Sequence, residues 1–218
     1  MSVPVLALLF DLDGTLIDSM PLHHAAWRSW FARHALPFDD AGFFAATAGR
    51  TNAEILRELL PQLSEAEREV LAEEKEALYR AAAAESLPMI EGFEPLRAQA
   101  RSLGLKLAIC TASPPGNLAV AFERFGLDRQ VDTVVSPADG VRGKPHPDIF
   151  ELAAKRLGVP AAACLVFEDA PLGLEAARRA GMRAVALTTS LPGAAFSGFD
   201  NCIHTLPDLR GLDLRDLA

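Results

Sequence analysis

Val5-Leu6-Ala7-Leu8-Leu9-Phe10-Asp11-Leu12-Asp13-Gly14-Thr15-Leu16 is the stretch from which the fold can be read. Its apolar run ends abruptly at two aspartates, the pattern of a buried strand with carboxylates at its carboxyl end. In open α/β sheets the ligand crevice lies just beyond those ends. Asp11 and Asp13 are two positions apart in an extended chain, so a side chain and a backbone oxygen can face one point. That arrangement suits a hard cation. Mg²⁺ takes oxygen ligands and keeps waters and substrate phosphate oxygens in its shell, so few protein carboxylates suffice. Gly14 permits a turn that bulkier residues resist. Taken alone, the same letters also make an ordinary Asp/Gly turn.

Residues 19–86 carry almost no strand signal and much Ala, Leu, Glu and Arg, and so read as a helical insert. Leu22, Ala25, Ala26, Trp30 and Phe31 keep helical spacing until Pro37 interrupts it. Residues 53–60 give a short helix before Pro61, and Ser64-Glu65-Ala66-Glu67 opens another with a capping-box pattern. From Pro88 onward strands and helices alternate. Helices are expected at 93–102, 116–125, 147–157 and 172–180, and strands at 105–110, 133–135, 164–167 and 183–187. Repeated βα units imply an α/β fold with a mainly parallel sheet and helices on both faces. The expected division is a catalytic core of 1–17 and 88–218 and a small α-helical cap domain of 18–87. Two adjacent connections would make a hinge, and a lid on that hinge would close over the carboxylates and exclude water.

The 218 residues are long enough to bury a substantial core, and half of them are hydrophobic. With 21 basic and 29 acidic residues the net charge is −8, which argues against non-specific binding of nucleic acid or an anionic membrane. A phosphorylated substrate then needs a locally positive pocket. Cys110, Cys164 and Cys202 have no C-x-x-C spacing, the pattern of a reduced compartment. No apolar run approaches the roughly 20 residues of a membrane span, and the N-terminus lacks a secretory pattern. The expectation is a soluble cytoplasmic protein, a monomer or weak homodimer, whose partner is a small phosphorylated metabolite.

Three more strand ends carry polar residues where a phosphate site needs them. Thr111 and Ser113 follow the strand at 105–110, and a hydroxyl with adjacent backbone N–H groups can hold phosphate oxygens at a helix N-terminus, although Ser and Thr also cap helices. Lys144 lies in Gly143-Lys144-Pro145-His146-Pro147-Asp148, where prolines stiffen the loop. Glu168-Asp169 follows the strand at 164–167. Four such groups at four strand ends point to one site.

With these motifs in this order, the chain resembles the haloacid dehalogenase superfamily of phosphohydrolases over essentially its whole length. Its insert looks like the cap of the β-phosphoglucomutase and phosphoglycolate phosphatase branch. The resemblance implies a Rossmann-like core in which Asp11 is the nucleophile, Asp13 the general acid/base, and Thr111 and Lys144 the phosphate clamp. It implies Mg²⁺ held by Asp11, the Asp13 carbonyl and Asp169, with Glu168 close by. Substrate contacts would come from Thr111, Ala112, Ser113 and Lys144 on the core, and from His23, Arg50 and Asn52 on the cap. Asp18-Ser19-Met20-Pro21-Leu22-His23 is similar to the mutase segment, with His23 at its hinge-histidine position, and Trp27 also matches. The mutase cap has an arginine three residues after the glycine of its substrate loop, where Gly49-Arg50-Thr51-Asn52 offers Asn52. Pro114 and Pro115 stand where the mutase has polar residues. These departures favour a Mg²⁺-dependent phosphomonoesterase for a sugar phosphate or similar metabolite, working through an aspartyl phosphate, over a mutase. A phospho-receiver switch has no use for the cap, and a metal-free dehalogenase leaves Asp13 and Glu168-Asp169 unexplained.

Overall fold

The opening run forms β1 (Ala7–Phe10), buried along its whole length because helices cover both faces of the sheet it enters. The computed structural model describes residues 3–47 and 50–217. Four described helices follow β1: α1 (Met20–Arg33), α2 (Asp40–Thr47), α3 (Asn52–Leu59) and α4 (Glu65–Ser86). The alternating half then runs through α5 (Phe93–Ser102), β2 (Lys106–Cys110), α6 (Pro115–Phe125), β3 (Thr133–Val135) and α7 (Asp148–Leu157). It ends with β4 (Cys164–Glu168), α8 (Pro171–Arg179), β5 (Arg183–Leu187) and β6 (Cys202–Leu206). All pairings are parallel, in the order β3-β2-β1-β4-β5-β6. β1 therefore sits where the strand order reverses, the place at which the adjoining loops part and leave a crevice.

Alternation along the strands explains why they read as continuous apolar runs. Leu8 and Phe10 face a cluster that takes in Phe93 and Leu96 of α5 and Leu118 of α6, whereas Ala7 and Leu9 face Ile149 and Phe150 of α7 and Leu174 of α8. Phe10 stacks on Phe167 at 4.7 Å between ring centroids and meets Phe93 edge-on at 5.7 Å. The insert has its own apolar centre in Trp27, Trp30, Phe31, Ile55 and Leu56. Capping boxes at Thr51 and Ser64 start α3 and α4. The two connections lie side by side: the Asp18 N–H donates to the Pro88 carbonyl at 2.9 Å, and the Ile90 N–H to the Leu16 carbonyl at 2.9 Å.

Two elements were not expected from the sequence. β6 is a half-exposed edge strand whose His204 and Thr205 break the apolar pattern, and α2 is short and carries Gly42 inside it. β1 starts at Ala7 rather than Val5, since Leu6 is 44% exposed below the sheet. Gly49 of the cap loop lies outside the described residues. All three cysteines are free thiols, and no described helix is long and apolar enough to cross a membrane.

Phe10 lies at the meeting point of β1, β4 and α5, so Phe10→Ala should lower stability by about 3–5 kcal/mol. The urea midpoint should drop with the slope unchanged, and a loss below about 1 kcal/mol would contradict this account of the packing.

Candidate active site

The chain turns sharply after β1. Gly14 has φ +76°, its N–H donates to the Ile17 carbonyl at 2.8 Å, and a β-carbon there would overlap the Asp169 carboxylate. Glycine thus serves both the turn and the close approach of Asp169. Gly173, in the first turn of α8, does the same for Glu168, whose carboxylate fills the space a β-carbon would take.

Asp11, Glu168 and Asp169 are buried, and one carboxylate oxygen of each lies within 4.8 Å of the others. The Lys144 ammonium enters from the loop before α7, over the ring of Phe150, and reaches Asp11 Oδ1 at 2.5 Å, Glu168 Oε1 and the Cys110 carbonyl at 3.2 Å. Burial would strip its proton, but the two carboxylates hold the ammonium firmly charged. Burial also pushes the Asp11 carboxyl well above its usual range against the pull of Lys144, while Glu168 and Asp169 push it further up. Asp169 rises to about 7 through burial and the Glu168 charge, although the Ser190 hydroxyl donates to it. Three carboxylates against one ammonium leave the cluster short of positive charge. Its all-oxygen donor set, lodged at the carboxyl ends of β1 and β4, fits Mg²⁺.

The Asp13 carboxylate lies outside that cluster. It accepts hydrogen bonds from the hydroxyls of Ser19, at 2.6 Å, and Ser113, and His23 Nε2 stands 3.6 Å away. Burial opposes its charge, but His23 and the two serines prevail and hold the carboxyl at about 2. Thr111 is buried, and its hydroxyl accepts the Ser113 N–H at 3.0 Å. Neither residue caps α6, whose N-cap, Pro114, makes no side-chain bond. Ala112 is exposed at the cavity wall.

The insert supplies a second polar chain. His23 stacks on Tyr79 at 3.9 Å and lies 2.7 Å from Lys75 Nζ. An ammonium only donates, so we assign Nδ1 as the acceptor, which turns the Nε2–H toward Asp13. Lys75 also donates to Glu76 at 3.0 Å, and Glu76 accepts from Asn52 and, at 2.6 Å, from Asn117 of α6. Arg50 borders the same cavity, but its guanidinium binds Glu58 at 2.8 Å and does not join the cluster. Lys75 and Glu76 escaped sequence reading because charges on a helix read as a solvated face, and Asn117 and Ser190 because no motif marks them. The signal was there: Lys75, Tyr79 and Ala83 recur at intervals of four, so the apolar face of α4 carries Lys75 inward. A cavity of about 480 Å³ is lined by residues of both polar chains.

The model of a family described as haloacid dehalogenase-like hydrolase matches residues 5–181. Validoxylamine A 7'-phosphate phosphatase of Streptomyces hygroscopicus subsp. limoneus is 31% identical over 202 residues, covering 93% of this chain and 94% of its own. Fructose-1-phosphate phosphatase YqaB of Escherichia coli (strain K12) is 32% identical over 183 residues, 82% of this chain and 94% of its own. Among solved structures, a HAD hydrolase of family IA, variant 3, from Entamoeba histolytica superposes with a TM-score of 0.89 at 28% identity, covering 100% of this chain and 97% of that one.

Gly→Ala inside a helix ordinarily stabilises by about 0.5–1 kcal/mol. At Gly173 the sign should reverse, because the new methyl displaces the Glu168 carboxylate from Lys144, and overpacking of this kind costs about 1–3 kcal/mol. Urea unfolding of Gly173→Ala reads the sign directly, and a stabilised variant would refute the tight fit.

Proposed function

Since the chain belongs to the haloacid dehalogenase-like hydrolases, we propose that it is a Mg²⁺-dependent phosphomonoesterase for a small phosphorylated sugar or related metabolite. The observation that carries this reading is Lys144 bridging Asp11 and Glu168 beside Asp169, at the floor of a cavity roofed by the helical insert. In this reading residues 1–17 and 88–218 are the catalytic core, and 18–87 are the cap that admits substrate about the paired connections. Sugar-phosphate phosphatases among the relatives support the substrate class.

Asp11, Asp169, the Asp13 carbonyl and Glu168 nearby would hold Mg²⁺, which supplies charge neutralisation for the phosphate and for Asp11. Lys144, with the Thr111 to Ser113 loop, grips the phosphate oxygens. An Asp11 carboxylate oxygen attacks phosphorus in line, and the ester P–O bond breaks as Asp13 delivers a proton to the departing alkoxide. Asp13 then takes a proton from water as that water attacks the aspartyl phosphate, which releases inorganic phosphate and restores Asp11. Asp13 rests ionised among these donors, the form the base step uses. The acid role follows from the substrate, because a phosphate dianion beside Asp13 raises that group's affinity for a proton.

EDTA should abolish phosphate release, and added Mg²⁺ should restore it. Asp11→Asn should lose nearly all turnover, and Asp13→Asn about 10²–10⁴-fold with substrate binding retained. Steady-state phosphate release by the purified variants checks both, and undiminished turnover in EDTA would end the metal assignment.

A mutase would use the same Asp11 chemistry but must hold a sugar bisphosphate in two orientations. Asn52 is turned to Glu76, and Pro114 and Pro115 offer no side-chain donor. With β-glucose 1-phosphate and a trace of glucose 1,6-bisphosphate, inorganic phosphate should therefore exceed glucose 6-phosphate. Rapid glucose 6-phosphate with little phosphate would replace the phosphatase reading by the mutase one.

A further inference from the structure

The cap end of the cavity carries an unusual group for an enzyme of anionic substrates. Glu76 borders the cavity and is 6% exposed, and Lys75 beside it is 2% exposed. Glu76 is ionised there: burial opposes the charge, but Lys75 and the donors around it hold the carboxyl below its usual value. One oxygen accepts from Asn52 and Lys75, and the other from Asn117. The two cap cations on the cavity wall are thus already engaged by carboxylates, Lys75 by Glu76 at 3.0 Å and Arg50 by Glu58 at 2.8 Å. Glu69 borders the same space and adds negative charge, and Glu73 borders it paired with Arg80. A second phosphate or a carboxylate arriving at this end would face Glu76 without an uncommitted cation to meet it.

Asn117 gives the matching positive signal. It lies on α6, across the seam from Glu76, and is 3% exposed. Its Nδ2 must face Glu76, since turning the amide over would set oxygen against a carboxylate. The orientation leaves Asn117 Oδ1 buried without a hydrogen-bond donor in the protein. A buried acceptor of this kind gains from an entering O–H and gains nothing from an anion. The seam lies between insert and core, so a substrate chain long enough to cross the cavity brings its far hydroxyls there.

We propose that Glu76, Asn52 and Asn117 form a hydroxyl-recognition subsite that selects phosphate monoesters of uncharged polyols and rejects substrates with a second anionic group. The inference rests on the phosphomonoesterase reading and names its substrate class. Glu76 is the specificity-determining residue, repelling anions while orienting the two amides. Asn117 Oδ1 is the hydroxyl acceptor.

Sorbitol 6-phosphate and 6-phosphogluconate test it, because they share a six-carbon chain and differ at the far end by a hydroxymethyl against a carboxylate. The wild-type enzyme with Mg²⁺ should show a kcat/KM at least about tenfold higher for the hexitol ester. Glu76→Gln should narrow that ratio several-fold, chiefly by improving the phosphogluconate. Calorimetric titration of Asp11→Asn reads the same preference as affinity, independently of turnover. In that background Asn117→Ala should weaken sorbitol 6-phosphate about five- to tenfold and inorganic phosphate by less than twofold. Equal affinity for the two esters, sorbitol 6-phosphate binding no better than inorganic phosphate, or a ratio unmoved by Glu76→Gln would overturn the subsite. If instead the wild-type enzyme releases phosphate from neither ester nor from p-nitrophenyl phosphate while Asp11→Asn still prefers the hexitol ester, the phosphatase reading fails and the subsite stands.

Discussion

The lysine that reaches in from the loop before α7 holds the site together. Parallel strands bring acidic residues to one end of the sheet, and burial there raises the energy of every ionised carboxylate. Lys144 answers with one ammonium in contact with both Asp11 and Glu168. Burial first, and one charge set against three second, keep Asp11 and Asp169 displaced toward the protonated form. That imbalance marks the place where a cation of higher charge is favoured. It also explains two glycines, since any β-carbon at Gly14 or Gly173 would push a carboxylate off its position.

The insert repeats the logic with opposite emphasis. Asp13, His23, Lys75 and Glu76 alternate acceptor and donor from the floor of the cavity to its roof, and Asn117 ties the roof back to the core. A buried polar chain of this kind is tolerated only while each link is satisfied. Ser19 and His23 come from the insert side and Ser113 from the core, so the donors around Asp13 depend on how the two parts meet. In the proposed mechanism, His23 thereby ties the proton affinity of Asp13 to the position of the insert.

What could be read in the sequence follows from locality. The βα alternation, the turn at Gly14 and the capping boxes are set by neighbours a few residues apart, so their elements were foreseen to within a residue or two at most boundaries. Asp11, Thr111 and Glu168-Asp169 were visible because each follows a local apolar run abruptly, and Lys144 because its Gly-Lys-Pro loop completes the ordered set. Lys75, Glu76 and Asn117 were not, because burial of a charge depends on partners far along the chain: Asn117 and Glu76 are 41 residues apart. β6 was missed for a related reason. An edge strand needs one partner and one covered face, so half of its residues carry no apolar signal.

Placing the negative charge of the protein around a site for a phosphate ester looks self-defeating, yet the distribution resolves it. Near the floor, in the proposed reading, Lys144 and a cation on the acidic oxygens would offset three carboxylates and a phosphate dianion. Near the roof, carboxylates already occupy the cations, so attraction for anions falls off across the cavity. On the proposed function, a monoester would be oriented by its own asymmetry, charged end down and hydroxylated end up, before any specific hydrogen bond forms. Reversing it would place the phosphate against Glu76 and leave the Asn117 acceptor empty. The same gradient that excludes a second anion thus sets the direction in which the first one binds, and it does so with residues that never touch the reacting phosphorus.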